Sequence, residues 1–265
     1  MSNNIDPTIS FDPWRNLNQF TTARIGLGRA GISLPTNPYL DFQLAHAQAR
    51  DAVNIALDLT ILAQRINLLG YQSLTLQSQA ENQSMYLQRP DLGRLLNKAS
   101  TEALYLGSHS QTDIVIVVVD GLSSKAIDKH AVEFLGYLLT KLKETDRNLS
   151  PICLVKHGRV AIGDAVAEYL GAKLCIVLIG ERPGLSSPDS MGIYFTYQAK
   201  VGVSTDADRN CISNIHSNGL TYQKALKKLL FLIQASEKLK LSGVNLKDES
   251  TDLTVNGRQN NFLIS

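Results

Sequence analysis

Cysteine is scarce: Cys153, Cys175 and Cys211 are the only three in 265 residues, too few and too scattered for a disulfide framework. Long hydrophobic runs are missing as well. The longest purely aliphatic stretch, Ile114 to Val119, is far too short to span a bilayer. Near the start, Asn3, Asn4 and Asp6 stand where a signal peptide would need a basic beginning and an apolar core. Charge of one sign is also lacking. A formal net charge of +2, with no Lys/Arg stripe interleaved with aromatics, argues against a nucleic-acid partner. Histidines and cysteines show neither C-x-x-C nor H-x-x-x-H spacing, so no metal site is expected. No G-x-S-x-G elbow appears, which lowers the prospect of Ser-His-Asp chemistry. With 44% hydrophobic and 19% charged residues, the chain reads as an ordinary globular protein, reduced and cytoplasmic.

What is present divides the chain by pattern. Pro7, Pro13, Pro35 and Pro38 interrupt residues 1–38, which read as an extended arm needing a partner surface to become ordered. From Tyr39, apolar residues including Leu44, Ala52, Ile55, Leu62 and Ile66 recur three or four apart up to Gly70, which predicts one helix. A polar Gln- and Ser-rich stretch over 72–88 follows, then a second helix from Asp91, as N-cap, to Leu106. Residues 39–107 therefore read as a small helical domain.

After Gly107 the pattern changes. Residues 114–119, 152–155 and 174–179 are continuous apolar runs, the signature of strands buried on both faces. Between them lie helical stretches from Ser123 or Ser124 to about Glu144 and from about Val160 to Leu170. Two successive βαβ units imply a parallel, Rossmann-like sheet over residues 108–246. Ile193 to Tyr197 reads as a further strand, and Thr221 to Leu241 as an amphipathic helix with a solvated lysine face. Residues 247–265 are polar and read as a disordered tail. The expected fold class is α/β, a Rossmann-like parallel sheet preceded by the small helical domain.

Three loops, 120–123, 156–160 and 180–184, fall at the carboxyl ends of the three strands and converge on one sheet edge. Their glycines suit tight turns, while Glu181 beside Arg182 reads equally as a ligand site or as an ion pair. Gly26 to Gly31 spells G-x-G-x-x-G. No strand is expected before it, and Pro35 and Pro38 are expected to prevent a helix after it, so it is discounted as a dinucleotide site.

Five segments share a further property. Leu178-Ile179-Gly180-Glu181-Arg182-Pro183-Gly184-Leu185, the polar run Asp208 to His216, Ala23 to Gly31, Leu40 to Val53, and Asp120 to Ser124 all resemble the light chain of ethanolamine ammonia-lyase. The resemblance runs in order from about Thr22 to Leu246. It implies a carbon–nitrogen lyase that converts ethanolamine to acetaldehyde and ammonia with adenosylcobalamin. Homolysis of the cobalt–carbon bond, hydrogen abstraction by the adenosyl radical, amine migration and ammonia release make up the implied reaction. It also implies a hetero-oligomer with several copies of each subunit. The large subunit would hold the substrate in its barrel, and this chain would cover the corrin from the other side. No catalytic acid, base or nucleophile is then expected in this chain, and in isolation it should be inactive. Encapsulation in a bacterial microcompartment is implied where the host builds one.

The family's cofactor contacts fall on Val160, Glu181 and Cys211. An ionised Glu181 would accept from the NH2 groups of corrin carboxamides. Val160 would offer backbone polar groups or a small apolar surface, and Cys211 a small polarizable one. From sequence alone, Cys211 reads instead as a buried core thiol. Asp128-Lys129-His130-Ala131-Val132-Glu133 approaches the Asp-x-His-x-x-Gly pattern of cobalamin proteins that supply a histidine lower ligand. Glu133 stands in the glycine position and the segment lies within a helix. His130 is therefore expected at the surface, and the cofactor is expected base-on, keeping its own benzimidazole. The rival readings are a self-sufficient Rossmann-type nucleotide-binding enzyme and a purely structural assembly subunit.

Overall fold

A computed structural model describes residues 9–10, 12–107 and 112–250. Strands β1 (Ile9–Ser10) and β2 (Arg29–Ala30) pair antiparallel around a 3-10 helix, Pro13–Gln19. Helices α1 (Thr36–Asn54) and α2 (Leu59–Leu68) lead to strand β3 (Ser73–Gln77), then α3 (Gln83–Gln88) and α4 (Lys98–Gly107). Next come β4 (Ile114–Val119), α5 (Ser124–Leu142), β5 (Ile152–Lys156), α6 (Ile162–Tyr169) and β6 (Leu174–Gly180). The sequence closes with β7 (Met191–Tyr197), β8 (Arg209–Ile215) and α7 (Tyr222–Leu239). Among the described residues, no helix is long and apolar enough to cross a membrane.

The sheet has six strands in the order β3-β5-β4-β6-β7-β8. β3, β5, β4 and β6 run parallel, while β7 and β8 are antiparallel. The unbroken apolar run of β4 follows from its place in the middle. Ile114, Ile116 and Val118 pack into the core under α5, α2 and α7, while Val115, Val117 and Val119 pack under α6 and α4. A strand covered on both faces has no side left for polar residues. From β4 the chain passes to β5 on one side, then returns to β6 on the other. That reversal opens a crevice at the carboxyl ends of β4 and β6.

Several expectations are corrected. The predicted single helix over 39–70 is two helices, because Asp58 caps α2 by accepting from the Thr60 and Ile61 amides at 2.9 and 3.0 Å. Pro35 and Pro38 start α1 rather than prevent it. Pro35 is its N-cap and Pro38 lies in its first turn, where a missing N–H costs no helical bond. Residues 39–107 are not purely helical: Ser73–Gln77 joins the main sheet beside β5, its alternation of Leu74 and Leu76 hidden by the surrounding glutamines and serines. The helix expected from Asp91 begins at Lys98, with Asn97 accepting from the Ser100 amide at 2.8 Å. Asp91 pairs with Arg89 instead. At the far end, Asp248 pairs with Lys228 on α7, and the rest of the polar tail, 251–265, lies outside the described residues.

The polar run 208–216 is the edge strand β8, and its packing logic lies in its first residue. Arg209 reaches under the sheet to Asp164 in the first turn of α6, with nitrogen–oxygen distances of 2.6 and 2.7 Å. Both side chains are only 4% exposed. Burial works against the guanidinium's charge, and the Asp164 carboxylate more than restores it. Asp164 also suits the positive end of the helix dipole.

His130 is not at the surface. The charged residues around it hide that it shares the inward face of α5 with Ile127, Phe134 and Leu138. Its Nδ1 lies 2.6 Å from the Tyr222 hydroxyl, and Nε2 lies 4.0 Å from Asp189, which Lys129 holds at 2.6 Å. Burial, and then Lys129, hold its pKa below the usual histidine range; burial does the same to His157.

Two outcomes are expected. Arg209→Met should lower the unfolding free energy by about 3–5 kcal/mol, because Asp164 is left buried and unpaired. An Arg209→Met/Asp164→Leu double variant should recover most of that loss in denaturant unfolding. For the histidines, a depressed folded pKa gives stability that is present above the unfolded value of about 6.5 and lost as pH falls below it. The isolated chain should therefore weaken on acidification from that pH, and His130→Gln should flatten part of the slope. His130→Ala should cost roughly 1–3 kcal/mol at neutral pH, since it strips Tyr222 of its partner.

Candidate functional site

The carboxyl edge is built by close backbone approach. Gly121, with φ of +64°, carries β4 into α5, and a Cβ there would sit 2.3 Å from the Gly180 carbonyl. Only glycine lets the two loops touch. Ser123 then caps α5, accepting from the Ala126 amide at 3.2 Å, and its hydroxyl donates to the Pro188 carbonyl at 2.9 Å. The loop between β6 and β7 is thereby fastened to the start of α5.

A buried carboxylate joins the next pair of loops. Asp120 accepts from the backbone amides of His157 at 2.8 Å, Gly121 at 2.9 Å and Gly158 at 3.2 Å. Burial pushes its carboxyl up to about 6, against the pull of those three bonds. His157 is held in the left-handed region, φ +56°, a conformation that persists for a non-glycine residue only when its surroundings impose it. Its Nδ1 meets the Ala80 carbonyl at 3.1 Å, and its ring stacks on Tyr86 with centroids 6.1 Å apart.

Arg159 follows. Its amide donates to the Gly93 carbonyl at 2.7 Å, its guanidinium donates to the Tyr86 carbonyl at 3.0 Å, and the same group lies 4.3 Å from the Tyr86 ring centroid. Residues 83–94, which carried no functional signal in the sequence, are thus the platform for this loop. Beside it opens a cleft of about 450 Å³ lined by Leu122, Arg159, Val160, Glu181, Arg182 and Tyr194.

Val160 and Glu181 therefore line one cleft. Glu181 is not paired with Arg182. Its Oε2 accepts from the Ser190 hydroxyl at 2.5 Å and the Asn214 amide at 3.2 Å. Cys211 is exposed on β8, not a buried core thiol. It stands opposite Tyr194 in the β7–β8 register. Burial, with Cys211 and Glu181 adding, pushes the Tyr194 hydroxyl up. Cys211 borders a second hollow of about 510 Å³ between β8 and α7, so Tyr194 is the link between that thiol and the cleft. Arg159 was within reach of sequence reasoning, being next to Val160 in a loop already singled out. Tyr86, Ser190 and Asn214 reach the site only through the fold.

The family model for ethanolamine ammonia-lyase light chain (EutC) matches residues 11–247, which take in the whole main sheet and its carboxyl edge. The chain is similar to the ethanolamine ammonia-lyase small subunit of Pseudomonas putida strain W619, 49% identical over 263 residues and 96% of each chain. It is 49% identical to the small subunit of Pseudomonas fluorescens strain Pf-5 over 266 residues, 97% of each chain. For Pseudomonas aeruginosa strain LESB58 the figure is 49% over 260 residues, 96% of this chain and 95% of the relative. A match of this depth over nearly the whole chain means that the chain belongs to the ethanolamine ammonia-lyase light-chain family.

Proposed function

We propose that the carboxyl-edge cleft is this chain's part of a cobalamin site, completed by the large subunit of a hetero-oligomeric ethanolamine ammonia-lyase. The observation that carries the reading is Glu181, a carboxylate at the cleft wall with Oε2 engaged by the protein and Oε1 given no donor among the described residues. The donor set suits a ring rimmed with carboxamides, whose arms present both N–H and C=O groups. Glu181 can accept from the former, while Arg159, Arg182 and Tyr194 can donate to the latter. Val160 adds a small apolar surface at the approach to α6, and Cys211 a polarizable one beyond Tyr194. The strand reversal at β4 and β6 supports a Rossmann-like reading of the sheet.

When bound, the cofactor supplies the radical that converts ethanolamine to acetaldehyde and ammonia. The residues of this chain hold it, orient its rim and keep water from one side. No acid, base or nucleophile in the cleft is assigned to the reacting bonds. His130 is sealed between Tyr222 and Asp189, which supports a cofactor that keeps its own benzimidazole. The partner surface has its own support. Trp14, Phe20, Ile32, Leu34, Leu40 and Leu44 are exposed, and α1 buries only Ala45 and Ala52. So much uncovered apolar surface is what a subunit interface needs. A cytoplasmic setting, or a microcompartment where the host builds one, completes the proposal.

Glu181→Ala in the assembled enzyme should weaken cobalamin binding by about ten- to a hundredfold, the loss of one hydrogen bond to a charged group. Glu181→Gln should lose less, since its amide oxygen still accepts. The ethanolamine KM and the rate at saturating cofactor should hold nearly steady. The chain assayed without its partner should produce no acetaldehyde. Unchanged cofactor affinity in an assembled Glu181→Ala enzyme would remove Glu181 from the site.

A further inference from the structure

We propose that Ser190 is the positioning residue for Glu181, aided by a β-bulge at Asn214 and by the missing side chain of Gly192, and that together they leave Oε1 as the ligand-facing oxygen. This rests on the cobalamin reading of the cleft and names the machinery behind it.

Ser190 grips Glu181 twice. The Glu181 amide donates to the Ser190 carbonyl at 2.9 Å, closing the loop at its base. The Ser190 hydroxyl then donates to Oε2 at 2.5 Å from a side chain almost wholly buried. A second donor reaches the same oxygen from the next strand. Between Met191↔Ile215 and Ile193↔Ile212, β8 spends one residue more than β7, so the ladder slips there. Asn214 lies in that slip with φ of +65°, and its amide turns to Oε2 at 3.2 Å. The Asn214 side chain meets His216 Nε2 at 2.8 Å, which holds the turn from outside.

Gly192 supplies the room. A Cβ on it would stand 2.9 Å from Oε1 and 3.2 Å from Cγ of Glu181. Any larger residue would push the carboxylate off its place. A flexible side chain is thus fixed before a ligand arrives, with one oxygen spent and the other without a donor among the described residues, which reduces the ordering cost of binding.

The test is a double-mutant cycle on the assembled complex, read by absorbance titration with cyanocobalamin, with thermal midpoints recorded on the same samples. Ser190→Ala should raise the Kd about three- to tenfold. In a Glu181→Ala background, Ser190→Ala should add nothing. Ser190→Thr, which keeps the hydroxyl, should restore affinity to within about twofold, and Gly192→Ala should raise the Kd with Ser190 intact. Additive losses in the double variant, or a neutral Ser190→Ala beside a damaging Glu181→Ala, would overturn the positioning role alone. A neutral Glu181→Ala would overturn the cofactor reading itself, and the positioning role with it.

Discussion

Asp164 and Arg209 meet beneath the sheet as two opposed charges, each nearly shut off from water, and the carboxyl edge depends on their staying together. Asp164 belongs to the first turn of α6, immediately after the loop that carries Arg159 and Val160. Arg209 begins β8, the strand that carries Cys211 and Asn214. One bidentate contact therefore sets the edge strand against the helix on the far side of β4 and β6. Replacing both charges with apolar residues of matching size would keep the packing, whereas removing one would leave an ion without water or partner. The pair is better understood as fixing a register than as a large source of stability.

Two more carboxylates repeat the device at shorter range. Asp120 gathers backbone amides from its own loop and from the loop after β5. Glu181 gathers a hydroxyl from the start of β7 and an amide from β8. Each joins segments far apart in sequence by accepting several donors at one point, so the cleft's outline is set by polar contacts even though its floor is aliphatic. Asp120 and Asp164 are spent wholly on the protein. Of the three, Glu181 alone has an oxygen without a donor among the described residues, and it is the one that lines the cleft.

The central architecture was legible because its signals are local. Ile114 to Val119 can hardly be anything but a strand covered on both faces, Ser123 is the one of two candidate serines that caps α5, and α7 follows the amphipathic pattern read from about Thr221. Ser73–Gln77 escaped because an edge strand needs only Leu74 and Leu76 to point inward, and its polar neighbours mask them. β8 escaped for a different reason: its packing residue is a charge, and the partner that makes an arginine a core residue lies 45 positions earlier. His130 was misplaced because charge in the flanking residues says nothing about which way a helix faces. At the site, Val160 and Glu181 share a cleft because strand ends converge in a parallel sheet. The hold of Ser190 and Asn214 on Glu181 depends on a register slip between β7 and β8, which no spacing rule can announce.

The most direct test is a structure of the assembled two-subunit enzyme with cobalamin bound. The account requires Glu181 Oε1 within about 2.7–3.2 Å of a corrin carboxamide nitrogen, with Oε2 still held by Ser190 and Asn214, and with Val160 and Cys211 against the cofactor. A corrin seated on another face of this chain, or wholly within the large subunit, would contradict it.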